Sequence, residues 1–120
     1  MVLLSVKYCK NDKYNNRVFI VNQDNKDNLD FKELVRLHTS ITNKYPESKV
    51  CIYYNQENQF IMITTKDYNN VLKVPKKGFI YNINVKFRVI QKRNQTYVNA
   101  ELCSAKLIKE ATKQGVVEEF

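Results

Sequence analysis

Between residues 73 and 93 the chain carries Lys73, Lys76, Lys77, Lys86, Arg88, Lys92 and Arg93 and no carboxylate. Cations at that density neutralise phosphates. The segment Lys77-Gly78-Phe79-Ile80-Tyr81 interleaves them with aromatic rings of the kind on which RNA bases stack. A second basic group, Lys7, Lys10, Lys13 and Arg17, lies near the start. A lysine on the outward side of a strand projects from a stiff support, so its ammonium is aimed at little entropic cost. Several such charges together exceed the ~0–1 kcal/mol of one exposed ion pair. Catalytic chemistry has much less to work with. His38 is the sole histidine and falls on or beside the apolar stripe of a helix, the usual setting of a core histidine. Cys9, Cys51 and Cys103 lack metal-site spacing and a histidine partner signature, and no glycine-rich phosphate loop is present. Asn94-Gln95-Thr96 spells a glycosylation sequon, read as chance in a chain without a secretory signal. The expectation is a non-enzymatic binding protein with no cofactor and no metal.

A chain of 120 residues with 43% apolar composition supports one core. Its net charge of +8 favours an acidic partner: nucleic acid, an anionic membrane surface or an acidic protein patch. Sixteen Lys against four Arg, beside fifteen Asn, is also the mix that AT-rich coding produces, so the position of the charges matters more than their total. The apolar stretch at the start ends at Ser5, too short for a signal peptide or a membrane span. The odd number of cysteines suits a reducing compartment. An intracellular, cytoplasmic protein is expected, with the nucleus open and no membrane insertion.

Local patterns supply the elements. Val2, Leu4, Val6 and Tyr8 alternate with Leu3, Ser5, Lys7 and Cys9, and Arg17 to Val21 is a second β-rich run, so the two read as a hairpin. In that second strand Val18 and Ile20 are expected to face the core and Arg17 and Phe19 to point outward. Asp30 with Glu33 forms a capping box, Leu29 and Leu34 a hydrophobic staple, and Phe31, Leu34, Leu37 or His38 and Ile41 an apolar stripe that runs toward Pro46. Val50 to Tyr54 and Phe60 to Thr64 read as two further strands. Thr64 to Asp67 starts a short second helix ended by Pro75 and Gly78. Phe79 to Val89 is the cleanest alternation in the chain. Beyond Gln91, Thr96 to Leu102 reads as a strand returning through Lys92-Arg93-Asn94-Gln95, and Ser104 to Gln114 as a helix. The expected division is a domain over 1–91 and a C-terminal appendage over 92–120, which is either an extra strand and helix or the start of a linker in a longer protein.

The order β-β-α-β-β-α-β is that of the ubiquitin-like β-grasp, an α+β fold. Within it Phe60-Ile61-Met62-Ile63-Thr64-Thr65-Lys66-Asp67-Tyr68-Asn69-Asn70-Val71-Leu72, Val6-Lys7-Tyr8 and Asp30-Phe31-Lys32-Glu33-Leu34 resemble signatures of the Phox-and-Bem interaction domains. The resemblance implies an adaptor whose basic face (Lys7 first, Arg17 second, Lys10 and Lys13 in support) docks on a protein with an acidic surface or acidic loop. Asn55-Gln56-Glu57-Asn58-Gln59 stands where the family's acidic prong would be, so a self-filament is not expected. Two other readings stand beside it. One is a basic RNA-binding module using Lys76, Lys77, Lys86, Arg88, Lys92 and Arg93 within residues 73–93. The other is a ubiquitin-like module that binds through an apolar sheet face.

Overall fold

The computed structural model describes residues 2–21 and 29–109, leaving aside the side chains of Leu29, Asp30 and Lys109. The first hairpin forms as the alternation requires. In β1 (Val2–Asn11) Leu4, Val6 and Tyr8 are buried, while Leu3, Ser5 and Lys7 sit on the other face. The turn to β2 (Arg17–Val21) is organised by Asp12, whose carboxylate accepts from the Tyr14 and Asn16 amides, both at 2.9 Å, and from Asn16 Nδ2 at 3.0 Å. In β2 the expected register is reversed: Phe19 and Val21 enter the core, and Ile20 takes the outer face. Four successive apolar residues, Val18 to Val21, leave a period-two pattern ambiguous. The large Phe19 ring, packed edge-on against Tyr8 at 5.8 Å, settles which face goes in.

The first helix, α1 (Leu29–Lys44), buries Phe31 and Leu34, packs Val35, Leu37 and Ile41 beside them, and ends two residues before Pro46. Its expected cap and staple depend on the Leu29 and Asp30 side chains, which lie outside the described residues. The Glu33 carboxylate pairs with Arg36 one turn on. Next come β3 (Lys49–Val50), β4 (Ile52–Asn55) and β5 (Phe60–Lys66). In β5 Ile61, Ile63 and Thr65 point in, and Phe60, Met62, Thr64 and Lys66 lie on the opposite face.

The expected second helix is absent: residues 67–79 form a looped segment of turns and bends. Asp67 caps this segment, but it accepts from the amides of Val71 at 2.7 Å and Leu72 at 3.0 Å. Those donors lie four and five residues on, where a helix N-cap would use the second or third. The carboxylate therefore closes a wide turn, and Pro75 leaves no length for a helix after it.

The long hairpin of β6 (Ile80–Lys92) and β7 (Gln95–Lys109) completes the fold. Arg93 and Asn94 take φ of 52° and 64°, the pair of positive values that a two-residue primed turn demands. The expected domain boundary after residue 91 falls inside β6, and β7 supplies Val98, Ala100 and Leu102 to the interior. Residues 104–109 of the expected C-terminal helix are strand, and 110–114 lie outside the described residues.

The sheet order β3-β7-β6-β1-β2-β5-β4, with β7 also paired to β5, closes a five-stranded barrel from β1, β2, β5, β7 and β6. The neighbours β6-β1-β2-β5 form a Greek key, and β7 shuts it by parallel pairing of Thr65 with Ala100 and Lys66 with Glu101. This corrects the β-grasp expectation. Strand accounts for 56 of the 101 described residues, so the class is mostly β with one helix among the described residues. The reason lies in β7: a strand shared between β6 and β5 rolls the sheet into a barrel, whereas a β-grasp leaves it open for a helix to cover.

Candidate nucleic-acid interface

The strands that close the barrel are strongly basic in sequence. The seven strands carry Lys7, Lys10, Arg17, Lys49, Lys66, Lys86, Arg88, Lys92, Lys106 and Lys109 and a single acid, Glu101. Glu101 is paired with Arg88, Nε to Oε2 at 2.8 Å.

One cross-strand row spans five strands on the outer wall. Tyr53 of β4 lies opposite Met62 of β5, Met62 opposite Ile20 of β2, Ile20 opposite Lys7 of β1, and Lys7 opposite Ile80 of β6. Four inter-strand spacings make it about 19 Å long. Tyr53 is 53% exposed and meets Phe60, the next outward residue of β5, edge-on at 6.0 Å. None of β1, β2, β4 and β5 contains an acid. The row is thus an aromatic and apolar strip with a lysine in it, open to solvent.

Of the residues expected to bind a partner, Lys7 lies on this row and Lys10 and Lys13 are exposed toward the end of the barrel beyond it. The Gly78 amide donates to Tyr8 O at 3.0 Å, and Tyr8 N donates to Phe79 O at 2.9 Å. These bonds lay the Lys76-Lys77 stretch directly beside Lys7 and Lys10. Parts of the two expected basic sites, Lys7, Lys10 and Lys13 from one and Lys76 and Lys77 from the other, therefore share one end of the barrel. Exposed Tyr14, Tyr68 and Val74 lie in the loops there, and Lys13 Nζ stands 5.1 Å from the Tyr14 ring centroid. Asp12 is tied into its turn. Hydrogen bonds from Asn16 and Tyr14, with Lys66 nearby, hold its carboxyl below the usual range although burial pushes the other way.

Arg17 does not belong to that surface, which corrects its expected outward role. It is 5% exposed. Its Nη2 donates to Leu72 O at 2.7 Å and to Asn70 Oδ1 at 3.3 Å, and its Nε lies 3.5 Å from Asp67 Oδ2. The Asp67 carboxylate, 2% exposed, is thus engaged by one guanidinium and two amides. This cluster pins the base of the 67–79 loop to the barrel. Arg17 is the tool suited to that task, because a planar cation with several donors can bond a carbonyl and face a carboxylate at once. Beside it, the burial of Tyr8 itself lifts that phenol above its ordinary value, with the Arg17 charge opposing.

The remaining members of the 73–93 block are spread along β6. Lys86 and Arg88 lie on the outer wall opposite Glu101 and Asn99, and Lys92 and Arg93 are exposed at the far turn. Fifteen residues of nearly extended chain, about 50 Å, separate Lys77 from Lys92, so the block does not act as one patch. Its aromatics belong to the core and not to a stacking surface, with Tyr81 buried and Phe79 packed against it. His38 is half-buried edge-on to Tyr54, ring centroids 6.3 Å apart. Burial pushes the Cys51 thiol up to about 12, so it is no nucleophile. Among the described residues no cluster of His, Cys, Asp and Glu has the makings of a metal site, and no helix is long and apolar enough to cross a membrane.

Sequence reading missed Tyr53, Phe60, Met62 and Ile20 as one surface. Alternation within Phe60 to Thr64 was a signal that Met62 shares a face with Phe60. That the face continues onto Ile20 and Lys7 depends on pairing between distant segments. Compared with known protein families, curated proteins and solved structures, the chain shows no significant match to any.

Proposed function

We propose that this chain is a binding module for single-stranded nucleic acid, which it holds across the outer row of the barrel. The observation that carries the reading is the row itself: Tyr53, Met62, Ile20 and Lys7 aligned on four strands free of carboxylates, leading to a lysine-rich end. Unpaired bases stack on exposed rings and apolar side chains, at about 1–3 kcal/mol per base, and lysines beside them take the phosphates. Duplex bases are already stacked and would leave Tyr53 unused. Five-stranded Greek-key barrels include oligonucleotide binders that use the outer face of their second and third strands and the loop after the first. In this barrel those strands are β2 and β5, and that loop carries Lys13 and Tyr14. Fold alone assigns no function; the side chains on that face supply the argument. Docking on an acidic protein, as the Phox-and-Bem resemblance implied, would use Lys7, Lys10 and Lys13 but loses Arg17 to the interior and gives the aromatic strip no role.

The test is fluorescence anisotropy with a labelled single-stranded oligonucleotide and its duplex at several salt concentrations. Binding of the single strand should be the tighter, with log K falling as log salt rises by about 0.7 for each phosphate neutralised. Lys7→Glu combined with Lys77→Glu should weaken it at least tenfold and flatten that slope. Tyr53→Ala should cost about tenfold with the slope unchanged. Equal affinity for the duplex, or indifference to all three substitutions, rules the reading out.

A further inference from the structure

We infer that the seam where β3 and β4 enter between β5 and β7 is a second nucleotide recess, which holds a phosphate and its attached planar ring from the same strand that crosses the outer row. The inference rests on the nucleic-acid reading above and adds to it a second contact, on a different part of the wall.

The seam arises from how the barrel closes. At Thr65 and Lys66, β5 pairs directly with β7. Toward the other end the two strands separate, and the chain at 49–55 fills the gap, pairing first with β7 through Lys49 and Val50 and then with β5 from Ile52 on. Cys51 is the crossing point: its N–H donates to Val98 O at 2.9 Å, and its carbonyl accepts from Thr64 N at 3.0 Å. The bend there leaves a recess of about 220 Å³. Its side-chain lining includes Lys49 and Tyr97, paired across β3 and β7, together with Lys66, Asn16, Thr64 and Asn99. All of these except Lys49 are half-buried, so this is a depression in the wall and not a flat patch.

The chemistry of the lining is that of a nucleotide unit. Lys49 Nζ stands 6.0 Å from the Tyr97 ring centroid, which pairs an ammonium with a stacking surface. Lys66 offers a second cation, and two amides and a hydroxyl offer donors and acceptors to a sugar or a base edge. No carboxylate lines the recess; Asp12, bonded to Asn16 Nδ2 at 3.0 Å and near Lys66, is committed to the amides of its own turn. The Cys51 thiol, kept protonated by burial, adds no negative charge. Glu101, opposite Lys66 on β7, is taken up by Arg88. The volume is below that of pockets enclosing drug-sized ligands, which suits one nucleotide of a longer chain. The recess is also continuous with the row: Met62 of the row and Thr64 and Lys66 of the recess are successive outward residues of β5, about 13 Å from first to last.

The experiment compares labelled oligothymidylates of about 5 and about 20 nucleotides, which bracket the site sizes of such barrels, on wild type, Tyr97→Leu and the double variant Lys49→Glu/Lys66→Glu. The long oligomer should lose about tenfold with Tyr97→Leu and more with the double variant, and the short one, held on the row, less than twofold. Equal losses at both lengths would mark diffuse charge and overturn the inference, as would no loss. A second measurement uses only the wild-type chain and is immune to misfolding of a variant: titration with thymidine 5′-monophosphate should shift the side-chain amide resonances of Asn16 and Asn99, and their silence also overturns it. The two readings fail separately. If the row does not bind, Lys7→Glu and Tyr53→Ala leave the long oligomer unaffected while the recess variants still lose; if the recess does not bind, the pattern is reversed.

Discussion

Arg17 and Lys7 lie on neighbouring strands of one hairpin, and their surroundings could hardly differ more. Arg17 is closed in by a carboxylate, a carbonyl and an amide oxygen, and it fastens the base of the 67–79 loop. Lys7 is half-buried on the outer wall between Ile20 and Ile80, where no carboxylate stands opposite it. Both count equally toward a net charge of +8. The lesson is that a cation counts as surface charge only where the fold leaves it without buried acceptors. Here ten strand cations face one strand acid, and Arg17 is withdrawn from that excess by its burial.

The contrast predicts different consequences for the two positions. Arg17→Ala would leave the Asp67 carboxylate buried against amides alone. Breaking a buried pair from one side costs about 3–5 kcal/mol, read as a lower urea midpoint, whereas Lys7→Ala should stay within about 0.5 kcal/mol. Equal costs would mean that Arg17 does not anchor the loop. A smaller effect is expected next door: Thr65, fully buried, donates its hydroxyl to Arg17 O at 3.1 Å. Thr65→Val leaves that carbonyl one donor short and should cost about 1 kcal/mol in the same assay.

The smallest effect belongs to the exposed end, at Asp12. Its folded pKa is lowered, so its stabilising contribution is complete above the unfolded value near ~3.9 and is lost as pH falls through the folded value. Wild type should therefore exceed Asp12→Asn by a constant small margin from neutral pH down to about 5, with the two converging below about 4. A margin that grew on acidification would contradict the hydrogen-bonded turn.

Much of the secondary structure was legible locally. Alternation identified β1, β5 and β6, the stripe from Phe31 to Ile41 identified α1, and Lys92-Arg93-Asn94-Gln95 was read as a turn between strands. Errors came where a local signal had two structural outcomes. Thr64 with Asp67 three residues on, before an apolar run, is written like the start of a helix; Thr64 instead belongs to β5, and the Asp67 carboxylate is taken by a wide turn and a distant arginine. Val18 to Val21 is apolar on both faces, so its register awaited the packing of Phe19. Residues 104–109 were read as helix because nothing local reveals a β6 partner running antiparallel beside them as far as Lys109. For the candidate site, Lys7, Lys10, Lys13, Lys76 and Lys77 were named from sequence. Their meeting at one end of the barrel, and the row through Tyr53, Met62 and Ile20, were not.

What the amino-acid order alone settled here is local: which segments are extended, where the turns fall, which residues are apolar enough to be buried, and that cations outnumber acids. Such properties depend on neighbours a few residues away, through the period of the backbone and the conformational limits of its turns. Closure of the barrel, the burial of Arg17 and the alignment of Tyr53 with Lys7 across four strands were decided by pairing between segments far apart in the chain. Those pairings are selected by the joint burial of one core, a condition that no single segment carries.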